Sequence, residues 1–579
     1  MYVRFVPNKK NPKSLYYAVS YRDENGKPKQ KLIEKIGDWE VLINQFDDPY
    51  SHFTKIAKEK HDDAIVNIPI NFNENLLESD NPRNLGYCVI KNIFNSFKLS
   101  ESIIKYQKNT KYKSSLDQIL RLLVYSRIIN PSSKLKTFNT KDMYFENFDF
   151  KEHDVYRSLD HICALKDTLV SNIWKNTKET YNRDLKTSYF DCTNYYFEIP
   201  YNDSDNVDDN GNIISTGLRK KGPSKEHRKT PIVQMGLLLD NVGLPVTYEL
   251  FSGNESEKTK LRPLIKKVKK SFDAKRTIVV ADRGLNTSDN IWYLAGVNND
   301  YQKLDGYVYG QSIRGANEEF KKWVLNDSDY VIDELEGGKI FKHKSRLVSK
   351  ELKIIRDNTR KNKTSTYQKQ MVYYSEKYAI RERKLREQAI EKAKHLISNP
   401  GAFKKNTTYG CAKYVENLSF DKKTGEIVSS KLLLNEKLIE EEALFDGYYS
   451  IVTSEYNLSD IEIRCIYRQL WKIEETFKVT KSTLDSRPVN VSLKTHIEAH
   501  FLTCFISLVI LRLLEVILEH KYSPDRIANT LSSLNCSHIS HDVFHMLYTD
   551  ELVKDIESKF NVDLSKKYIN LKNIKKLIN

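Results

Sequence analysis

The sequence predicts an α/β fold built on a mixed sheet with a large insertion, on three observations. Short apolar runs recur at Ser188–Ile199, Ile232–Leu239, Leu244–Leu250 and Thr277–Ala281, the signature of buried strands. A basic amphipathic stretch, Leu261–Lys270, falls between the third and the fourth. Strand character returns at Tyr448–Val452 after a long stretch of different patterning. Strands, a helix and then another strand describe layers packed around one sheet.

In chain order, residues 15–36 read as a β-hairpin, because Asp23-Glu24-Asn25-Gly26 separates two alternating apolar runs. Residues 85–180 read as helical, with Ile119, Leu122 and Leu123 at i, i+3, i+4 beside Arg121 and Arg127, and Asn130-Pro131 as a breaker. Another strand is expected at Gly306–Gly310. Residues 311–445 then carry hairpin signals at Gly337-Gly338 and Lys423-Thr424-Gly425, and a solvated helix of alternating charge near Glu376–His395. Ser459–Lys481 is expected to be one helix, followed by a second at about Leu493–His520.

Lys and Arg number 93 against 77 Asp and Glu, a net charge of +16 with a pI near 9.1. That balance points to an acidic partner, nucleic acid before membrane. Part of the charge also reflects the abundant Lys, Asn, Ile and Tyr of an AT-rich coding sequence. The longest apolar run, Phe501–Leu511, meets Arg512 and Glu515 short of the ~20 apolar residues a membrane span needs. The start, MYVRFVPNKK, has no signal-peptide core, so a cytoplasmic location is expected. Seven scattered cysteines without a C-x-x-C pair fit reduced thiols.

Three acids stand out by context. Asp191 interrupts the apolar run Ser188-Tyr189-Phe190, and Asp282 ends Ile278–Ala281 just before Arg283-Gly284. A carboxylate at a strand end faces the crevice where ligands sit in an open α/β sheet; taken alone, either residue is equally a helix cap or turn aspartate. Tyr467, Glu474 and Lys481 recur every seven residues, two helical turns less about 20°, and so share one narrow face that Trp471 and Lys478 widen. Ile466, Leu470, Ile473 and Phe477 form the neighbouring buried stripe, and Glu475 points elsewhere. The plain alternative is a surface helix with ordinary charges. Phosphodiester chemistry needs charge neutralised on attacking and leaving oxygens, which two Mg²⁺ ions about 3.5–4 Å apart do when held by carboxylates. The loop Gly217–Thr230 supplies basic groups beside the acids: Arg219, Lys220, Lys221, Lys225, Arg228 and Lys229. Its charge is either solvated, or neutralised by the acidic Asp203–Asp209 segment, or offered to phosphates. His496 and His500 lie four apart on one helical face, but no third ligand is evident, which favours a packed or DNA-facing pair over zinc. No Walker A, G-x-G-x-x-G or G-x-S-x-G sequence occurs.

The ordered set SYFDCTN, GPSKEHRKTP, GLPVTYELFSGNESE, VVADRGLNTSDN, FDGYYSIVTSE and YRQLWKIEETFKVTKSTLDSRPV resembles DDE transposases of bacterial insertion sequences, in the subgroup with a Tyr-x-x-Arg-x₃-Glu-x₆-Lys signature. The resemblance runs from about residue 185 to 515. It implies a ribonuclease H-like (retroviral integrase-like) core with Asp191, Asp282 and Glu474 as catalytic, metal-binding acids, served by two Mg²⁺ ions with Mn²⁺ as a substitute. Tyr467, Lys478, Lys481, Arg219, Lys220, Lys221, Lys225 and Arg228 become the expected DNA contacts. One departure is plain: the signature Arg falls at Leu470, for which Arg468 or Lys472 would compensate. The implied domains are a β-rich segment 1–75, a helical DNA-binding region 76–184, a core in two parts (185–310 and 446–525) around an insertion 311–445, and a helical tail 526–579. The implied function is cleavage and strand transfer at inverted-repeat ends, with double-stranded repeat and target DNA as partners and a homodimer in a synaptic complex, in a bacterial cytoplasm at the nucleoid. The alternatives are a structure-specific nuclease on the same fold, or an inactive DNA-binding remnant.

Overall fold

A computed structural model describes residues 2–578 apart from 8–12, 23–26, 63–72, 74, 76, 78–79, 211, 225–228, 297–304, 336–338, 357–359, 404–409, 429–430 and 541. The chain divides into two compact units, Met1–Glu78 and Ser79–Asn579.

In the first unit, strands β1 (Tyr2–Val6), β2 (Ser14–Arg22) and β3 (Pro28–Asp38) form an antiparallel sheet, with helix α1 (Pro49–Asp62) packed on it. The expected hairpin is β2–β3, although its Asn-Gly turn lies outside the described residues. Val3, Leu15, Tyr17, Leu42 and Ala57 make the small core.

The second unit opens with helices α2 (Tyr87–Ser96), α3 (Leu99–Gln107), α4 (Leu116–Ile129), α5 (Lys134–Asn139), α6 (Glu152–Ala164) and α7 (Lys166–Thr177). Then come the strands and helices of the sheet layer: β4 (Thr187–Tyr196), β5 (Ile232–Leu239), β6 (Pro245–Ser252), α8 (Leu261–Phe272), β7 (Ile278–Ala281), α9 (Ser288–Ala295) and β8 (Gly306–Gln311). The 311–445 stretch holds α10 (Glu318–Leu325), β9 (Val331–Leu335), β10 (Lys339–Arg356), β11 (Arg360–Tyr374), α11 (Glu376–Ser398) and α12 (Glu436–Ala443). The chain returns through β12 (Tyr448–Thr453), α13 (Asp460–Arg468), α14 (Trp471–Lys478), α15 (Lys494–Ile517) and α16 (Pro524–Ser533). A short meander containing Asn535–Ser540 and Val543–Met546 ends the unit with two further helices.

One nine-stranded sheet has the order β9-β10-β11-β12-β8-β7-β4-β5-β6. Within it β4, β5 and β6 form an antiparallel meander, β7 runs parallel beside β4, and β8 runs parallel beside β7. β5 is buried along its whole length, as its near-continuous apolar sequence requires for a strand covered on both faces. The first part of the 311–445 stretch extends this sheet. Its strands β10 and β11 pair, and β11 joins β12, which joins β8, so the sheet grows outward from its fifth core strand. A separate apolar cluster around Ala393, Leu396, Tyr414 and Ile427 packs α11 against the segment that follows it.

Helix α15 is long and apolar enough to cross a membrane, yet 89% of its apolar window is buried inside the protein. It packs against α4, α6, α16 and β6. Its role is that of a core helix, with Phe501 and Phe505 set against Tyr195 and Tyr248 of the sheet at ring separations of 4.7 and 5.2 Å.

The single helix expected over Ser459–Lys481 is broken. The amides of Gln469, Leu470, Lys472 and Ile473 each donate to the carbonyl three residues back, so the chain tightens between α13 and α14. A wide π turn, Val479–Thr483, then follows α14. Tight turns advance faster than 100° per residue, so the seven-residue face arithmetic of one continuous helix does not carry across 469–470.

Candidate active site

The site follows from strand register. β7 pairs in parallel with β4 from Ile278↔Thr187 to Val280↔Tyr189; Asp191 lies two residues further along β4, and Asp282 follows directly on the end of β7. Asp191 Oδ1 accepts from the Cys192 amide at 2.7 Å, and Asp282 Oδ1 accepts from the Gly284 amide at 2.8 Å as the chain turns sharply off the sheet. On the next strand Ala281 faces Tyr309, which puts Gly310 beside Asp282.

Gly310 is a glycine for a steric reason. A Cβ there would stand 2.5 Å from the Tyr467 hydroxyl and 3.3 Å from the Arg283 amide nitrogen. The Tyr467 phenol therefore lies over the end of β8, next to Asp282. Burial, together with Tyr449 and Asp282 nearby, raises its pKa above the usual value and keeps it a neutral hydrogen-bonding group.

Two recesses open on either side of α14. One, of about 570 Å³, is lined by Asp282, Arg283, Gly310, Arg314, Tyr373, Tyr378, Tyr448, Tyr449, Tyr467, Arg468, Leu470, Trp471 and Glu474, among others. The other, of about 440 Å³, is lined by Asp191, Thr193, Glu474, Phe477, Lys478, Lys481, Ser482 and Arg487. Glu474 belongs to both, so it stands between the recess of Asp282 and the recess of Asp191. Ile473 and Phe477 beneath it are buried and hold α14 on the sheet. Glu475 turns to the other side, where Arg512 of α15 lies 3.5 Å away.

The first recess is walled by aromatic rings: Tyr373 and Tyr449 stack at 5.5 Å, Tyr378 lies 4.2 Å from Tyr449, and Trp471 is 54% exposed. Such walls offer flat faces to nucleobases. The second is walled by cations. Lys481 lies over the Tyr195 ring at 5.8 Å and Arg487 over Tyr196 at 5.6 Å, with Lys478 exposed at the rim.

The basic loop is less open than its sequence. Arg219 pairs with Asp203 at 2.6 Å and Lys220 with Asp205 at 2.8 Å, so the acidic segment does neutralise part of it. The Lys221 amide is held by Asn202, and Lys225 and Arg228 lie outside the described residues. Pro223 of this loop accepts from Asn194, three residues beyond Asp191, which sets the loop beside β4. Leu470, at the signature Arg position, lines the aromatic recess with Arg468, while Lys472 turns away to the Val242 carbonyl. The two histidines take no part. His500 is buried between Lys134 and the Ser486 carbonyl, and His496 lies 3.7 Å from Asp160. Sequence reasoning did not assign functional roles to Arg283, Arg314 and Arg487. Arg487 had a signal, lying within the third motif six residues after Lys481.

Asp191, Asp282 and Glu474 supply hard oxygen donors of the kind Mg²⁺ and Mn²⁺ take. Among the described residues no three acid, histidine or cysteine side chains are close enough to clasp one ion. Glu474 is the acid shared by the Asp282 recess and the Asp191 recess, so the three carboxylates line two adjoining openings rather than a closed cage.

Comparison with known proteins decides the family. The family model for the transposase DDE domain matches residues 213–510, just over half of the chain. The chain belongs to the DDE transposase family. The family's ribonuclease H-like fold is the meander β4–β6 with the parallel strands β7 and β8, and its members depend on divalent metals. No curated protein matches the chain. Among solved structures it is similar to the Mos1 mariner paired end complex with Mn, at 11% identity over 30% of this chain and 56% of that one, with a TM-score of 0.11. It is also similar to a pre-cleavage Mos1 transpososome, at 8% identity over 42% and 64%, and to a Mos1 transposase paired-end complex with left transposon end, at 9% over 42% and 67%. Both have TM-scores of 0.11, too low for a residue-level comparison with this transposase domain.

Proposed function

We propose that this protein is a transposase that binds the inverted-repeat ends of a mobile DNA element and catalyses Mg²⁺-dependent cleavage and strand transfer there. The observation that supports the reading is that Asp191 lies in β4 and Asp282 follows the end of the neighbouring parallel strand β7, while Glu474 lines the recess of each. Asp191, Asp282 and Glu474 hold the divalent ions, two Mg²⁺ with Mn²⁺ as a substitute. Bound there, such ions supply the Lewis acidity that neutralises charge on the attacking and leaving oxygens of a phosphodiester.

The chain's own groups do the positioning. Lys478, Lys481 and Arg487 grip the phosphates that flank the scissile bond on the Asp191 side. Arg283 and Arg468 do so on the Asp282 side, where Arg468 takes the place of the signature arginine absent at 470. Tyr467, held neutral over Gly310, orients the DNA end beside Asp282. The aromatic walls of the larger recess receive an unstacked base, a sequence-tolerant contact worth about 1–3 kcal/mol per base. Double-stranded repeat and target DNA are the partners, and two copies act in a synaptic complex.

Replacing Asp282 by Ala tests the assignment. Cleavage of repeat-ended duplex should fall by about a hundred- to a thousandfold, the scale of losing a preorganised electrostatic group, while duplex binding stays within a few-fold of wild type. Retained cleavage would remove Asp282 from the catalytic set.

A further inference from the structure

Away from the acids, a cavity of about 90 Å³ is walled by Arg127 of α4, Ser132, Ser133 and Lys134 at the start of α5, Tyr156 of α6, the loop residues Asp485, Pro488, Asn490 and Val491, and His500 of α15. A water needs roughly 10–15 Å³ of such space, so the cavity holds several waters or one tetrahedral oxyanion. Arg127 and Lys134 are only 6% and 5% exposed, and neither forms an ion pair among the described residues. Arg127 spends its terminal nitrogens on the carbonyls of Leu484, Asp485 and Ser132, and its buried Nε has no partner among the described residues. Lys134 Nζ lies 2.9 Å from His500 Nδ1, and His500 Nε2 lies 3.2 Å from the Ser486 carbonyl. Only a neutral imidazole that donates from Nε2 and accepts at Nδ1 satisfies both contacts.

Two cationic side chains are thus buried together with a neutral histidine for company. Burying unpaired charge is costly, and the cost is relieved by a bound anion. Burial, with Arg127 close by, pulls the Lys134 ammonium down to about 7. The other titratable groups facing it are Arg127 from α4, Tyr156 from α6, His500 and the Cys504 thiol from α15, and Asp485, whose residue is exposed at the cavity mouth.

We propose that Arg127, Lys134 and the Ser132–Ser133 hydroxyls form a seat for a phosphate group. The ammonium protons of Lys134 not given to His500 and the hydroxyl protons of Ser132 and Ser133 are its donors, and the buried Arg127 guanidinium contributes positive charge. The loop 484–491 connects this seat to the catalytic opening, because Arg487 on the same loop lines the recess of Asp191 and Glu474. A backbone phosphate of the strand passing the acids is one source of the group, and free inorganic phosphate is the other. The seat stands whether or not the chain cuts DNA; only its assignment to a backbone phosphate rests on the transposase reading.

Inorganic phosphate is the probe, added to the full chain at matched ionic strength against chloride. Wild type should bind phosphate saturably, melt at a higher temperature in it, and at pH 8 take up protons on binding, read by calorimetry in two buffers of different ionisation heat. Lys134→Met should lose all three effects. Absence of saturable binding by wild type, equal binding by the variant, or binding without proton uptake would each overturn the proposal. If the variant does not fold, proton uptake by wild type decides. With duplex DNA, a salt dependence shallower by about one unit of slope in Lys134→Met assigns the seat to a backbone phosphate. An unchanged slope, with phosphate binding lost, assigns it to free phosphate.

Discussion

At the scale of single residues, the site depends on contacts with no slack. Gly310 has no side chain because the Tyr467 hydroxyl occupies the place a Cβ would take. Gly310→Ala should cost about 1–3 kcal/mol by overpacking, read as a lower denaturation midpoint. Adding Tyr467→Phe to it should recover part of that loss, since the clashing oxygen is gone. Additive costs in the double variant would mean that the two residues do not meet. Lys134 gives a prediction in pH. Its ordinary value is 10.5 and its folded value about 7, so between these limits the unfolded chain holds a proton that the folded chain does not. Stability should then rise with pH from about 7 towards 10 in phosphate-free buffer, and fall back as pH drops towards 7. Melting temperatures of wild type and Lys134→Met across that window should converge at the alkaline end, and parallel curves would refute the depressed lysine. Asp191 and Asp282 stand out in the sequence because the first interrupts an apolar run and the second ends one. The Arg127–Lys134–His500 cluster does not, because His500 lies 366 residues beyond Lys134 and no local pattern joins it to the other two.

Secondary-structure elements were legible where periodicity is local. The buried strands, the amphipathic helix between the third and fourth of them and the charged helix α11 each announce themselves within about two dozen residues, and they fold where expected. The break at 469–470 did not show, since Ile466, Leu470, Ile473 and Phe477 keep an unbroken helical stripe in the sequence. That break sets which cations face the aromatic recess. Arg468 lines the aromatic recess whereas Lys472 is turned to Val242, so Arg468→Ala should weaken duplex binding and lower its salt slope by about one while Lys472→Ala leaves the slope unchanged. The reverse result would put the compensating charge at 472. The start of α13 carries a capping box in which the Ser459 hydroxyl accepts from the Glu462 amide and the Glu462 carboxylate accepts from the Ser459 amide. Ser459→Ala should cost about 1 kcal/mol, seen as a shift in the denaturation midpoint.

Across the whole second unit, one sheet does both structural and functional work. Its core strands β4 and β8 carry Asp191 and Gly310, Asp282 follows the end of β7 between them, and the long stretch after β8 widens the same sheet to build the tyrosine wall beside Asp282. The order of acid motifs made the core legible from sequence. How the intervening strands attach was not, because strand pairing over such separations leaves no periodic trace. The excess of positive charge implies that duplex binding falls steeply with salt, as Lys and Arg displace counterions from DNA, and a flat salt response would refute a phosphate-dominated interface. The most direct test of the central claim is cleavage of a duplex ending in the repeats that flank the coding region, with Mg²⁺, by wild type beside Glu474→Gln. The account predicts strand cleavage at the repeat boundary that disappears in the variant while binding persists. Cleavage that ignores the repeat, or that survives in Glu474→Gln, would contradict it.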